Sequence, residues 1–412
     1  MKKSYFFLLF CLPFGLFAQK KKEAAVQTPE MPTISAARTK IIEKDSLKMV
    51  AYLELELTDV KESEDVAQLF LSQYKASWFL TSEYGSREKL ANGSVALLAS
   101  NINREGSKIR LSFEFSRLKR DNAVLFVELV NTFSRKKIAT DALVRFTNLK
   151  LSDQYVIFDT SETTPNFLNY VTVGQRFMIG NPNLPTEKFF MIQYEHSFDQ
   201  AQSPMAATPR NASKNMKVNV VREIQSNKMI SFAEEGLYFV VRDTANMASG
   251  IAILGVDDRF PRVTTVEQII KPLVYVSTNR EMSELNVDSK NKLALDTYLI
   301  KLAKGNQQIA KEFVRDYYRN IEEANRLFTT YKEGWKTDKG MIFSILGAPN
   351  KVQRSRDREV WSYSQNQGFA EMVFNFTRKP NPFTDNHYEL IRYPEYQDFW
   401  YEKIEAWRTA KR

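Results

Sequence analysis

Glu333-Gly334-Trp335-Lys336-Thr337-Asp338-Lys339-Gly340, followed by Met341-Ile342-Phe343-Ser344-Ile345-Leu346-Gly347-Ala348-Pro349-Asn350, is the stretch on which the reading of this chain turns. It lies between a long helical region and a β-rich C-terminal end. Thr337 or Asp338 is placed to accept hydrogen bonds from the free N–H groups of a helix starting at Lys339. Gly347 suits the left-handed position that ends such a helix, and Pro349 prevents its continuation. Met341, Ile345 and Leu346 then face a core. A strand over 341–346 is the alternative. Gly340 weakens a helix slightly, yet the start and stop signals favour one. Trp335 reads as a core plug that fixes the preceding helices to the C-terminal sheet.

Upstream, two long helices are expected. The first spans 283–303 and carries Leu293, Leu295, Tyr298, Leu299 and Leu302, with Gly305 ending it. The second spans 307–331. Its Ile309, Phe313, Tyr317, Ile321, Ala324 and Phe328 recur at spacings of three and four, which makes one apolar stripe and a helical hairpin. Before them, Thr265 caps a short helix over 266–270 that Pro272 breaks, and 273–277 is short and β-branched. Downstream, 360–364, 370–377 and 387–393 alternate as a three-stranded antiparallel meander, with Trp361 and Tyr363 on one face. Pro394 opens a closing helix to about residue 409. Its Tyr396, Phe399, Trp400, Ile404 and Trp407 form an aromatic stripe that must bury against the meander.

The first half of the chain reads as strands. Residues 49–57 alternate toward their end. Ile109, Leu111, Phe113 and Phe115 share a face opposite Arg110, Ser112, Glu114 and Ser116, and turns fall at Gly106 and Asp121-Asn122. Further runs are 94–100, 123–133 and 141–149. Between 59 and 80 the pattern is mixed, with Val66, Phe70 and Tyr74 at helical spacing. A second set follows Thr164-Pro165-Asn166: 169–179, 188–197, 216–224, 229–232 and 236–241, with a loop over 198–214. Short strands with regular turns predict two consecutive β-sandwich-like domains, 45–150 and 151–282. The helical hairpin and the C-terminal α+β domain occupy 283–412. The fold class is therefore α+β and multidomain.

Residues 1–18 read as a secretory signal: Lys2-Lys3, an apolar run from Tyr5 to Phe17, and Ala18 at the cleavage point. The run is too short for a permanent transmembrane span. Cys11, the only cysteine of 412 residues, is flanked by Phe10 and Leu12-Pro13-Phe14, so it fills the apolar run rather than serving as a lipid anchor. The mature chain then has no disulfide, thiolate nucleophile or cysteine zinc site. Residues 19–44 are polar, with Lys20-Lys21-Lys22, Pro29 and Pro32, and read as a flexible linker. The formal net charge is +9, or +7 without Lys2 and Lys3. Nucleic-acid binding needs clustering as well as excess charge, and no nucleic-acid motif accompanies this excess, so nucleic acid is not an expected partner.

Gly334-Trp335-Lys336-Thr337-Asp338 resembles the pattern for which GWxTD-domain proteins are named. The resemblance continues through Gly340, Gly347, Pro349 and Glu359-Val360-Trp361-Ser362-Tyr363, and takes in the 319–328 and 396–407 helices. It covers about 265–410, with Lys339 standing where the family usually shows arginine. It implies a bacterial envelope protein and transfers no reaction. Bacteria rich in this family often O-glycosylate exported proteins at Asp-Ser/Thr before an apolar residue. Ser46, in Asp45-Ser46-Leu47, and Thr244, in Asp243-Thr244-Ala245, fit that pattern.

Catalytic constellations are few. His196 and His387 fall in different β-regions, short of the three or four convergent ligands of a metal site. Asp338, Asp357, Glu359 and Glu371 surround the motif, and a pair about 5–10 Å apart suits glycoside hydrolysis. Yet Asp338 has a capping role to fill, and Glu359 has Lys339 or Arg358 to pair with. Asp153, Asp159, Asp257 and Asp258 are oxygen ligands without calcium-loop spacing. The chain is thus expected to be an exported, non-enzymatic envelope protein without cofactor. Its expected work is holding or assembling protein partners, in outer-membrane biogenesis or secretion, from the periplasm or the outer membrane. A carboxylate hydrolase of glycans or peptides and a carbohydrate-binding protein are the alternatives.

Overall fold

Alternating apolar residues lay down the described residues up to 256 largely as antiparallel strands, and helical stripes organise those that follow. The computed structural model describes residues 31–60, 65–160, 164–195, 198–208, 216–286, 291–364 and 371–409. The expected signal peptide at 1–18 with Cys11, the linker as far as residue 30, and His196 lie outside these residues.

The first module holds β1 (Thr33–Glu43), β2 (Lys48–Thr58), α1 (Val66–Gln73), β3 (Tyr74–Thr81), β4 (Lys89–Val95), β5 (Ile102–Glu105), β6 (Lys108–Ser116), β7 (Asn122–Asn131) and β8 (Lys137–Arg145). Two four-stranded sheets, β1-β2-β6-β5 and β4-β3-β7-β8, enclose a core that includes Leu53, Leu55, Ile109, Leu125 and Val127. The mixed stretch after residue 59 resolves into α1, whose Val66 and Phe70 are buried, followed directly by β3. Residues 33–43, expected within the flexible linker, instead pair with β2 over their whole length. Small and polar residues weaken the alternation there, and the ladder with β2 sets the strand. β2 is buried on both faces because Val50 and Tyr52 pack outward on Val156, Phe158 and Met178 of the next module.

That next module holds α2 (Leu151–Gln154), β9 (Val156–Phe158), β10 (Tyr170–Thr172), β11 (Arg176–Gly180), β12 (Lys188–Tyr194), β13 (Val218–Gln225), β14 (Met229–Ser231), β15 (Gly236–Val241) and β16 (Gly250–Val256). A five-stranded sheet, β10-β16-β15-β12-β13, faces the three-stranded β14-β11-β9 across a core with Phe177, Phe189, Val240 and Ile253. The run expected at 169–179 is two strands, because Gly174 turns the chain at φ +80°. β10 pairs with β16 in parallel.

The third module holds α3 (Val266–Ile270), α4 (Asn279–Asn286), α5 (Lys292–Leu302), α6 (Gln307–Phe328), α7 (Asp338–Leu346), β17 (Lys351–Arg354), β18 (Arg358–Tyr363), β19 (Met372–Arg378), β20 (Tyr388–Leu390) and α8 (Gln397–Thr409). Thr265 caps α3 in a capping box with Gln268, and Pro272 sits in the 3-10 turn that follows. The single helix expected over 283–303 is two, because Asn291 caps α5 by accepting from the Ala294 N–H. The core of this module reaches back to Ile270, Leu273 and Tyr275, ahead of the expected start at 283. The meander gains a fourth strand, β17, hairpinned onto β18 by residues 355–357. β17 is exposed throughout, so its sequence carries no burial pattern to read. The stripe of α6 buries Phe313, Tyr317, Ile321 and Ala324, each larger side chain worth about 1.5–3 kcal/mol in transfer alone. α8 and the 3-10 turn before it span the sheet and the hairpin: Tyr396 of the turn and Phe399 meet Phe374 of β19, while Trp407 meets Phe313 and Tyr317 of α6.

Candidate functional site

The motif stretch is a joint in which each distinctive residue type has a structural task. Gly334–Lys336 makes one 3-10 turn lying directly on α6. A Cβ on Gly334 would stand 2.0 Å from the Ala324 carbonyl oxygen. A Cβ on Gly340 would stand 1.8 Å from the Gly334 carbonyl oxygen. The two glycines therefore let α6, the turn and α7 stack backbone on backbone. Thr337 is the cap of α7: its hydroxyl accepts from the Gly340 N–H at 2.9 Å and donates to the Gly334 carbonyl at 2.7 Å. Asn325 of α6 accepts from the Trp335 N–H at 3.2 Å, and Thr329 accepts from the Gly334 N–H at 2.9 Å. Trp335 is buried in the core that the helices and the sheet share; its ring lies edge-on to Tyr275, and Tyr275 donates to the Trp335 carbonyl at 2.9 Å. Gly347 ends α7 at φ +71°, and Pro349 lies half-buried on the way to β17.

Asp338 does not cap the helix. Thr337 takes that role, and the Asp338 carboxylate reaches the sheet. It accepts from the Leu390 N–H at 2.6 Å and, with both oxygens, from Arg392 at 2.6 and 3.2 Å. Arg392 donates onward to the carbonyls of Gln202 and Ser203, in the loop after β12. One buried carboxylate thus ties α7, the end of β20 and the second module together. Glu359 accepts from Lys339 at 2.9 Å and from the Trp361 indole at 2.7 Å. Burial raises the Glu359 carboxyl, but Lys339 and Arg354 outweigh it and hold it below the ordinary carboxylate value. Both carboxylates are therefore engaged by cations. Asp357 and Glu371 are exposed.

Above this joint the three modules leave a cleft of about 2160 Å³. Its walls include Lys40 and Tyr84 of the first module, Tyr194 and Phe198 of the second, and Lys339, Arg354, Arg378 and Tyr388 of the third. Eleven lysine and arginine side chains and eight carboxylates line it, and Arg38 and Arg326 pair with Glu54, Glu56 and Glu323 outside that lining. Ion pairs bridge its rims: Arg326 with Glu56, Arg354 with Asp141 at 2.9 Å, and Asp385 with Arg145 at 2.5 Å and Lys150 at 2.6 Å. Asp385 belongs to the loop joining β19 and β20. In the same loop Phe383 packs against Tyr194 and Phe239 of the second module and Tyr331 of the third. Burial foremost brings the Lys40 ammonium down to about 8, where it donates to the Asn166 carbonyl at 2.8 Å.

The remaining sequence candidates border the cleft or lie inside turns. His387 borders the cleft beside Glu389, at 3.4 Å. Asp257 closes a turn onto the Arg259 and Phe260 N–H groups, and Asp153 is taken by Arg145. Among the described residues no three His, Cys, Asp or Glu side chains group as metal ligands. Ser46 and Thr244 are exposed in hairpin turns of the same form: Asp45 accepts from the Leu47 N–H and Asp243 from the Ala245 N–H. Arg392, Arg378, Tyr84 and Asp385 were not singled out by sequence reasoning as site residues. The loop bearing Asp385 offers one local signal, Pro380 and Pro382 flanking Asn381 ahead of Phe383.

Among the described residues no helix is long and apolar enough to cross a membrane. The family model of the GWxTD domain matches residues 236–409, from β15 to α8. No curated protein matches the chain.

Proposed function

We propose that this chain, a GWxTD domain-containing protein, is an exported, non-enzymatic envelope protein that holds or assembles a protein partner, in outer-membrane biogenesis or secretion. The observation that supports the reading is the cleft. At about 2160 Å³ it exceeds the roughly 300–1,000 Å³ of small-molecule pockets and is walled by all three modules, which suits a segment of a macromolecule. Asp338 and Glu359 are committed to Arg392 and Lys339, which leaves them poorly placed for acid–base work. Among the described residues the exposed large aromatics are Phe133, Tyr393 and Tyr401, and no ring contact joins one to another as a carbohydrate platform would need.

The test is mild crosslinking of the tagged protein in its native envelope, gentle solubilisation and co-purification. A reproducible stoichiometric partner, crosslinked to residues around the cleft, is the expected result. Recovery of the chain alone refutes the reading. The same preparation tests export and modification. A mature N-terminus at Gln19 and glycan mass on Ser46 or Thr244 are expected, and a mass spectrum with both residues bare removes the glycosylation part.

A further inference from the structure

At the Lys339 end of the cleft the protein gathers more positive charge than its own acids neutralise. Lys339, Arg354 and Arg378 meet there with two carboxylates. Glu359 takes Lys339 at 2.9 Å and Arg354 at 3.3 Å, and Asp141 takes Arg354 at 2.9 Å. Arg378 has no carboxylate partner among the described residues. Its Nε and Nη2 donate at 3.2 and 2.8 Å to the phenol oxygen of Tyr388, its neighbour across the β19–β20 ladder. A phenol oxygen is a neutral acceptor, so the guanidinium charge stays uncompensated. The Tyr388 hydroxyl in turn finds no acceptor for its proton among the described residues. The Lys339 ammonium lies 3.6 Å from the centre of the Tyr388 ring. Burial foremost lowers Lys339 to about 8, and Arg354 and Arg378 add to that lowering against the pull of Glu359, as a positive surrounding field requires.

We propose that Arg378 and Tyr388 bind a carboxylate presented by a peptide segment of the partner, an acidic side chain or a chain terminus. The inference rests on the protein-partner reading above. Charge selects the ligand class. Three cations against two carboxylates leave one positive charge, which one carboxylate neutralises. A phosphate monoester, at about −1.5 to −2, would leave the corner negative. The planar guanidinium fork also matches a carboxylate's two oxygens, and the Tyr388 O–H adds a third donor. The cleft beyond has room for the chain that carries the group.

The experiment titrates the mature protein into fluorescein-labelled, C-amidated octaglutamate and follows polarisation at low salt. Amidated octaglutamine is the neutral comparator, and octaglutamine with a free C-terminus presents only a terminal carboxylate. Saturable binding of octaglutamate is expected, weakened at least about tenfold by Arg378→Gln, since hydrogen bonds to charged groups are the strong ones. Tyr388→Phe keeps the ring under Lys339, removes only the hydroxyl, and is expected to weaken binding about threefold or more at an unchanged melting temperature. Lys351→Gln, on exposed β17, removes one charge away from the site and leaves binding unchanged. Binding of the free C-terminus in place of octaglutamate assigns the terminal carboxylate instead of the side chain. Carboxylate peptides that fail to bind, or that bind both site variants as they bind the wild type, overturn the proposal. Co-purification with Arg378→Gln separates the two readings. A partner retained undiminished leaves the partner reading standing and removes this site. Octaglutamate binding with no partner recovered by the wild type does the reverse.

Discussion

Replacing Gly340 by alanine distinguishes two opposed expectations. On helix propensity alone, alanine inside α7 stabilises by about 0.8–1.0 kcal/mol. The packing predicts the opposite. The new Cβ would sit 1.8 Å from the Gly334 carbonyl oxygen, 2.6 Å from its carbon and 3.0 Å from the Trp335 Cα. Atoms of this kind do not approach closer than 3.0 Å, so α7 and the turn must part by more than 1 Å. All three atoms are backbone, so no side chain can swing aside. Overpacking of this kind costs about 1–3 kcal/mol or more. The parting also stretches the bonds from the Thr337 hydroxyl and N–H to the Gly334 carbonyl, at 2.7 and 3.0 Å, worth about 1 kcal/mol each. After the propensity gain, a net loss of about 2–4 kcal/mol remains. Urea denaturation followed by tryptophan fluorescence reads it. Four of the five tryptophans, Trp335, Trp361, Trp400 and Trp407, belong to the third module's core, so the signal reports that module even where the chain unfolds in steps. An alanine variant as stable as the wild type, or more stable, refutes the argument that close approach selects glycine here.

Two further predictions concern charge. Arg392→Gln leaves the buried Asp338 carboxylate with the Leu390 N–H as its main donor and is expected to cost about 3–5 kcal/mol. In a cycle with Asp338→Asn, the double variant loses less than the sum of the singles by about 1 kcal/mol or more, and strict additivity in urea midpoints would sink the pairing. Lys339 has a folded value of about 8, below its ordinary 10.5. Between these values the unfolded chain holds a proton that the folded chain has released, so this residue makes stability rise with pH across that window. Lys339→Met is expected to flatten the rise between about pH 8 and about pH 10, and an unchanged slope in denaturation midpoints counts against it.

Much of the third module was legible because its signals are local. The α6 stripe, the Thr265 cap and Gly347 each follow from residue types at short spacing. The helix expected from Lys339 begins one residue earlier, at Asp338, with Thr337 of the two candidates as its cap. What escaped depends on contacts distant in sequence. Asp338 meets Arg392 across 54 positions, a partner no periodicity names. A capping role was the nearest local use for that aspartate, so sequence reasoning favoured it. β1 takes its order from pairing with β2, not from its own alternation. The cleft escaped for the same reason: its walls come from three separately folded segments, and no single stretch encodes them.

The loop carrying Phe383 and Asp385 bears on where this protein can be cut. Phe383 seats against Phe239 of β15, and the matched GWxTD region begins at residue 236, the first residue of that strand. The matched segment therefore opens partway through a sheet whose other strands, β10, β12 and β13, lie outside it. A shuffling event at that border would have to supply a foreign sheet able to adopt β15 and β16 and also present an aromatic seat to the loop. Grafting the C-terminal segment onto another carrier is thus a problem of matching an open sheet edge, and a fragment begun at residue 257 would leave behind the surface its own loop was shaped to meet.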